Sequence, residues 1–311
     1  MFTFRTDLAL ERRDIFKKAN NIENEIDGIE AEEIDESDKI KVTKVKVLNE
    51  NGANAIGKPI GTYITIDIKK IKLATNDDIQ KASEILSREL KKLIDVHSIP
   101  KDDILIVGLG NGYVTPDSLG PKVVKDIDVT RHIIKYMPEV IDPNARSVSA
   151  ISPGVLGTTG IETLEILKGI VDNIKPKLII TIDALASKSI ERISSTIQLA
   201  DTGITPGAGV GNTRKELSVD TLGVPVIAIG IPTCVDAATI AVDTIDIFIS
   251  KLQDEAKSNE YLNNLKEQDK YEEVREALIP GDYNFIVTPK EIDELIENMK
   301  DIVARGINMS L

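Results

Sequence analysis

The chain has 311 residues, of which 38 are Lys or Arg and 51 are Asp or Glu, for a formal charge of −13, with two His, one Cys and no Trp. Nucleic acid calls for a basic face and stacking aromatics, and an acidic chain with 4% aromatic residues offers neither in bulk, so direct nucleic-acid binding is not expected. A single thiol makes no internal disulfide, no secretory signal is visible, and no stretch approaches the roughly 18 apolar residues of a membrane span, so the chain reads as cytosolic with no membrane partner. A structural zinc site takes about four His or Cys ligands, more than are available, so no metal or other cofactor is expected and carboxylates are left to do chemistry.

From Glu23 to Asp38 acidic residues follow one another with no Lys or Arg between them, which reads as a solvated segment or an exposed helix face. In Lys39 to Val47 the apolar parity shifts from even to odd positions, as in a bulged strand with Lys on its wet face. Asn51-Gly52 is a turn signal, and Thr62 to Ile68 alternates again, so residues 39 to 71 form an antiparallel β excursion. Asn76 is a plausible cap for a helix with Ile79, Leu86, Leu90, Leu93 and Ile94 on one face.

The centre of the chain repeats strand, loop and helix. Asp103 to Gly108, Ser147 to Ile151, Leu178 to Ile182 and Val224 to Gly230 are short apolar runs, with helical stretches near Ile161 to Ile174 and Ala237 to Leu252. This pattern predicts an α/β fold, a mostly parallel central sheet flanked by helices, whose ligand site lies beyond the C-terminal ends of the strands. Residues 254 to 287 read as a polar insertion, and a helix is expected from Thr288-Pro289 to about Ala304.

Two aspartates occupy that strand edge. Asp117 lies in the glycine-rich loop Gly110 to Pro121 after the first buried strand, and Asp183 ends another strand. An isolated Asp at a strand end commonly caps the next helix, whereas two carboxyls facing one cleft form an acid–base pair for activating water, or ligands for a hard divalent cation. Gly108-Leu109-Gly110 fails the dinucleotide-binding spacing, because Tyr113 stands where a third glycine would be. Gly207-Ala208-Gly209-Val210-Gly211 either approaches a substrate or turns a corner. Asp201-Thr202-Gly203 matches the tripeptide of pepsin-like proteases, but it occurs once and in an α/β pattern, so turn formation is the expected role. Cys234 lacks an evident imidazole partner, with His97 closing a helix and His132 read as a surface or core residue.

Phe4 to Glu11, Gly108 to Pro121, Ser152 to Thr163, Ile182 to Ala186 and Asp201 to Asn212, in this order, resemble the germination protease family of spore-forming bacteria. The resemblance implies an atypical aspartic endopeptidase with a fold related to hydrogenase-maturation proteases, made as a self-processing homotetrameric zymogen in the forespore and acting on small acid-soluble spore proteins. It places the catalytic aspartates at Asp117 and Asp183. Family substrates are cut between an acidic and a large apolar residue in a Thr-acidic-apolar-Ala context followed by Glu, which Thr6-Asp7-Leu8-Ala9-Leu10-Glu11 matches. Cleavage between Asp7 and Leu8 is therefore expected, leaving residues 1 to 7 as a propeptide and 8 to 311 as one catalytic domain. The loops bearing Gly154, Gly157 and Gly160, and Gly207, Gly209 and Gly211, are expected to contact substrate or steady the oxyanion.

Overall fold

A computed structural model describes residues 6–69, 71–97, 102–211, 214–245 and 285–311. A nine-stranded sheet runs through it in the order β1-β2-β3-β7-β8-β6-β4-β5, with β9 on β8. The strands are β1 (Ile29–Asp35), β2 (Ile40–Val47), β3 (Gly61–Ile68), β4 (Asp103–Gly108), β5 (Ser147–Ile151), β6 (Leu178–Ser187), β7 (Thr196–Ala200), β8 (Val226–Asp236) and β9 (Ile286–Val287). The segment β5-β4-β6-β8 is the expected parallel core. Its apolar runs are continuous because helices cover both faces. The antiparallel excursion does not form a separate layer: β3 pairs with β7, and β7 with β8, so both halves share one sheet.

On one face lies the largest core cluster, built by the helices Asn76–His97, Leu119–Val124 and Ile292–Ser310 against the sheet. The long helix and the C-terminal helix touch closely at Gly306, where an added Cβ would lie 2.7 Å from Leu86. The C-terminal helix outruns its expected end at Ala304 because Ile307 is also buried. The other face carries two smaller clusters, one with the N-terminal helix Ala9–Ala19 and the other with the helix Thr163–Ile174.

This two-sided cover corrects the reading of residues 40 to 47. The register of β2 with both neighbours runs without a bulge. Ile40 and Val42 face the largest cluster while Val45 and Val47 face the N-terminal one, so the parity shift records a change in which face is more apolar. The acidic run is likewise neither a helix face nor a free segment at 29 to 35: it is edge strand β1, placing Glu30 opposite Lys46, Glu32 opposite Lys44 and Asp35 opposite Lys41. Cross-strand charge pairing makes the run tolerable, and a charged edge resists pairing with other sheets. Asn51-Gly52 is not a turn but part of the helix Glu50–Ile56, whose start is capped by the Asn49 side chain accepting from Gly52 N–H at 3.0 Å. The long helix is capped by Thr75, one residue before the expected Asn76: Thr75 N–H donates to Asp78 at 2.9 Å and Asp78 N–H to Thr75 Oγ1 at 3.3 Å.

Among the described residues no helix is long and apolar enough to cross a membrane. The expected helix from Ala237 is present over 237–245. Its continuation to Leu252, and the insertion up to residue 284, lie outside the described residues. The last residues of that insertion enter the sheet, where Ile286 and Val287 pair with Asp236 and Val235.

Because Val42 and Val45 are both fully buried and face opposite clusters, Val42→Ala and Val45→Ala are each expected to destabilise the fold by about 2 kcal/mol, additively in the double variant. Urea unfolding measures this. A loss under about 0.5 kcal/mol at either position would contradict the two-sided burial.

Candidate active site

The loop leaving β4 is folded back by glycine. At Gly108 an added Cβ would sit 2.2 Å from Gly120 O, and at Gly120 one would sit 2.3 Å from Leu109 O and 2.7 Å from Ile182 O. Backbone thus lies directly on backbone, and Leu109 N–H donates to Ile182 O at 2.8 Å. This close approach explains the glycines that fail the dinucleotide spacing. Gly110, at φ 108°, lies against Asp117, whose Oδ2 accepts Asn111 N–H at 2.7 Å.

Asp183 does not end its strand, as expected, but sits inside β6 opposite Gly230. Its other neighbour, β4, stops at Gly108, paired with Ile182. The early end of β4 opens one side of Asp183 to a cavity of about 270 Å³ that Asp117 also lines. Asp183 is 5% exposed. Burial, then the neighbouring Asp117 and Asp7 carboxyls, push its pKa well above the ordinary carboxylate value, while Ala184 N–H, donating to Oδ1 at 3.0 Å, opposes the shift. Asp117 is also raised by burial, with the Asn111 N–H acting to lower it.

Asp7 lines the same cavity. Its N–H donates to Ala186 O and its Oδ2 accepts Ala186 N–H, both at 2.9 Å, so the segment docks on β6 three residues past Asp183. Gly209 completes the cradle: its N–H also favours the Asp7 carboxylate, and a Cβ there would lie 2.0 Å from Asp7 Oδ2. Burial nevertheless raises the Asp7 pKa, against Lys58, Arg12 and the two N–H groups. The next residues are held as tightly. Leu8 is fully buried, and Glu11 accepts Lys188 N–H at 2.7 Å, Ser189 N–H at 3.0 Å and the Thr6 hydroxyl. Gln198 of β7 spans Leu8, with Nε2 donating to Asp7 O at 3.3 Å and Oε1 accepting Ala9 N–H at 2.7 Å.

Gly154 and Gly207 line the cavity and Gly209 holds Asp7, whereas Gly157, Gly160 and Gly211 are not part of the lining. Gly160 and Gly211 instead close short helical turns in the left-handed conformation. Cys234 also reaches the cavity, but burial pushes its thiol up to about 12, unsuited to a nucleophile. Asp201 Oδ1 accepts Thr62 N–H at 2.7 Å, joining the end of β7 to the start of β3. Neither His97 nor His132 lines the cavity. Lys58 was not singled out in the sequence because its stretch reads only as part of a β excursion, and Gln198 because β7 was not read as a strand. A larger cleft, of about 870 Å³, lies elsewhere and contains neither Asp117 nor Asp183. Among the described residues no three His, Cys, Asp or Glu side chains converge as a metal site.

The family model described as germination protease matches residues 7–265 and 252–311. The chain belongs to the germination protease family. It is 49% identical to the germination protease of Caldanaerobacter subterraneus over 99% of this chain and 94% of that one, and 48% identical to that of Clostridium perfringens over 100% and 96%. Similarity to the protein of Bacillus licheniformis is 42% over 100% and 94%. Membership makes the chain a protease, a hydrolase of peptide bonds. Among solved structures, a NiFe hydrogenase maturation protease from Thermococcus kodakarensis matches 47% of this chain and 80% of its own, at 20% identity and a TM-score of 0.29.

The raised Asp183 pKa fixes the sign of a stability effect. Below pH 3.8 both folded and unfolded states are protonated; above it the unfolded state releases a proton the folded state retains, so stability falls as pH rises toward the folded pKa. Each unit of upward shift costs about 1.4 kcal/mol. Asp183→Asn should therefore melt higher than the parent at pH 7, with the gain vanishing near pH 3.5. Equal melting temperatures at pH 7 would show that Asp183 carries no such strain.

Proposed function

We propose that this germination protease is an aspartic endopeptidase that cuts its own chain between Asp7 and Leu8 and then degrades small acid-soluble spore proteins at similar sequences in the forespore. The observation that carries the reading is that Asp7 lines the cavity of Asp117 and Asp183 while Thr6 to Glu11 is held against β6, β7 and the residues just past β6. Each element of the Thr-acidic-apolar-Ala context has its own partner there: the Thr6 hydroxyl on Glu11, the Asp7 carboxylate on Ala186 and Gly209, Leu8 in the core, Ala9 on Gln198, and Glu11 on residues 188 and 189.

The carboxyl pair shares one proton, since two buried like charges cannot both form cheaply. Asp183, the more deeply buried, keeps it, and Asp117 is the base, because Asn111 N–H favours its ionised form. Asp117 takes a proton from water as the water oxygen bonds to the Asp7 carbonyl carbon. The charge that develops on the Asp7 oxygen is met by Gln198 Nε2–H. Collapse breaks the C–N bond as the Asp183 proton passes to the Leu8 nitrogen, and the proton of the new Asp7 α-carboxyl group follows it, leaving a carboxylate and an ammonium, with the pair's proton now on Asp117. Cleavage thereby creates an ammonium at a fully buried residue. Burying a charge is expensive, so the new terminus at Leu8 moves out of its pocket and leaves the cavity to substrate. Until then the tethered segment occupies the site at high effective concentration and holds the zymogen inactive. The assembled form is a homotetramer.

Asp117→Asn and Asp183→Asn are each expected to keep the fold and to slow loss of residues 1 to 7 by about 10²–10⁴-fold, read as intact mass, with spore-protein cleavage falling alike. Near-normal processing by either variant would overturn the pair. The same two carboxylates could instead serve a divalent cation, and cleavage abolished by a chelator and restored by added metal would favour that reading.

A further inference from the structure

Asp7 lies where two cavities meet. Beyond the catalytic one is a second, of about 250 Å³, lined by Arg12, Lys58, Tyr63, Gln198 and Glu216 among others, and Asp7 belongs to both linings. Arg12 and Lys58 are therefore held on one side of the Asp7 carboxyl while Asp117 and Asp183 lie on the other. Arg12 donates to Thr6 O and to Gly57 O, both at 3.0 Å, which fixes its guanidinium next to the docked segment. The Lys58 ammonium makes no hydrogen bond among the described residues. Burial and the neighbouring Arg12 both disfavour its charge, lowering its pKa to about 8, and Asp7 is the group that favours it. Two cations side by side in a partly desolvated cavity repel each other, and an anion between them offsets that cost. Asp7 supplies the anion, held by Ala186 and Gly209 rather than clamped by the cations themselves. Once residues 1 to 7 depart, the cations remain on the chain facing an emptied pocket.

We propose that Lys58, with Arg12 beside it, is the specificity determinant that reads the acidic residue preceding the scissile bond, with Asp7 as its built-in occupant and the substrate's Asp or Glu as its later one. This rests on the reading of Asp7–Leu8 as a cleavage site. Charge complementarity across a cavity selects carboxylate over the isosteric amide, because an amide takes away the anion that favours the Lys58 charge. Arg214 also lines the catalytic cavity, but Lys58 and Arg12 are the cations with the leading influence on the Asp7 carboxyl. The basic side of the pocket is thus Lys58 and Arg12.

A double-mutant cycle in the full-length chain tests this, with the rate of loss of residues 1 to 7 read by intact mass. Lys58→Met should slow processing of the otherwise natural chain at least about tenfold, and should have little effect, within about twofold, in the Asp7→Asn background. Lys58→Arg, which keeps the charge, should stay within about threefold of the natural rate and guards against a fold defect in the Met variant. If Lys58→Met slows both backgrounds by the same factor, or Lys58→Arg is as slow as Lys58→Met, Lys58 is structural and the inference is overturned. If the natural chain itself stays intact, the self-processing reading fails and takes this inference with it, whereas natural processing with an additive cycle defeats the inference alone.

Discussion

The site depends on how closely two backbones approach. The loop after β4 folds onto itself through Gly108, Gly110 and Gly120, where an added Cβ would lie 2.1–2.3 Å from a backbone oxygen of the same stretch, and Gly120 also lies against β6, 2.7 Å from Ile182 O. No side chain fits at these contacts, so Ala at any of the three would distort the loop that carries Asp117. The second requirement is a strand that stops early: β4 ends beside Ile182, so the next residue of β6 faces a cavity on one side while it is still held in register by β8. A carboxyl placed there is desolvated and beside another carboxyl, the conditions that raise its pKa above the ordinary carboxylate range.

The N-terminal segment follows from the same framework. Ala186 and residues 188 and 189 offer backbone N–H groups at the end of β6 and just past it, and Asp7 and Glu11 take them up with their carboxylates. An acidic chain with few His and Cys residues thereby uses carboxyl groups in three ways: as the catalytic pair, as the residue before the bond to be cut, and as the anchor after it. Lys58 and Arg12 balance the second of these, and both belong to the half of the molecule furthest from the parallel core in sequence.

The parallel half was largely legible in the sequence. Continuous apolar runs ending in Gly or Asp mark buried parallel strands, and strand-edge chemistry then selects Asp117 and Asp183 without further information. The antiparallel half was legible only as β structure. A parity shift at residues 40 to 47 looks the same whether it arises from a bulge or from cover on both faces, and only the helices packed there decide between them. β7 was missed because it is five residues long and its partners are distant in sequence, and with it went Gln198. Lys58 follows the helix Glu50–Ile56 within what the sequence presents only as a β excursion, and nothing local shows that its charge acts on Asp7.

The central claim is that Asp183 holds its proton well above the ordinary carboxylate range because it is buried beside Asp117. Carboxyl-carbon NMR of aspartate-labelled protein, with Asp183 assigned from the spectrum of Asp183→Asn, measures this directly. The account predicts that the Asp183 resonance stays protonated well above the ordinary carboxylate range, and that it titrates lower, though still raised, in Asp117→Asn, because burial outweighs the neighbouring charge. An Asp183 midpoint at about 4, unchanged by Asp117→Asn, would contradict it.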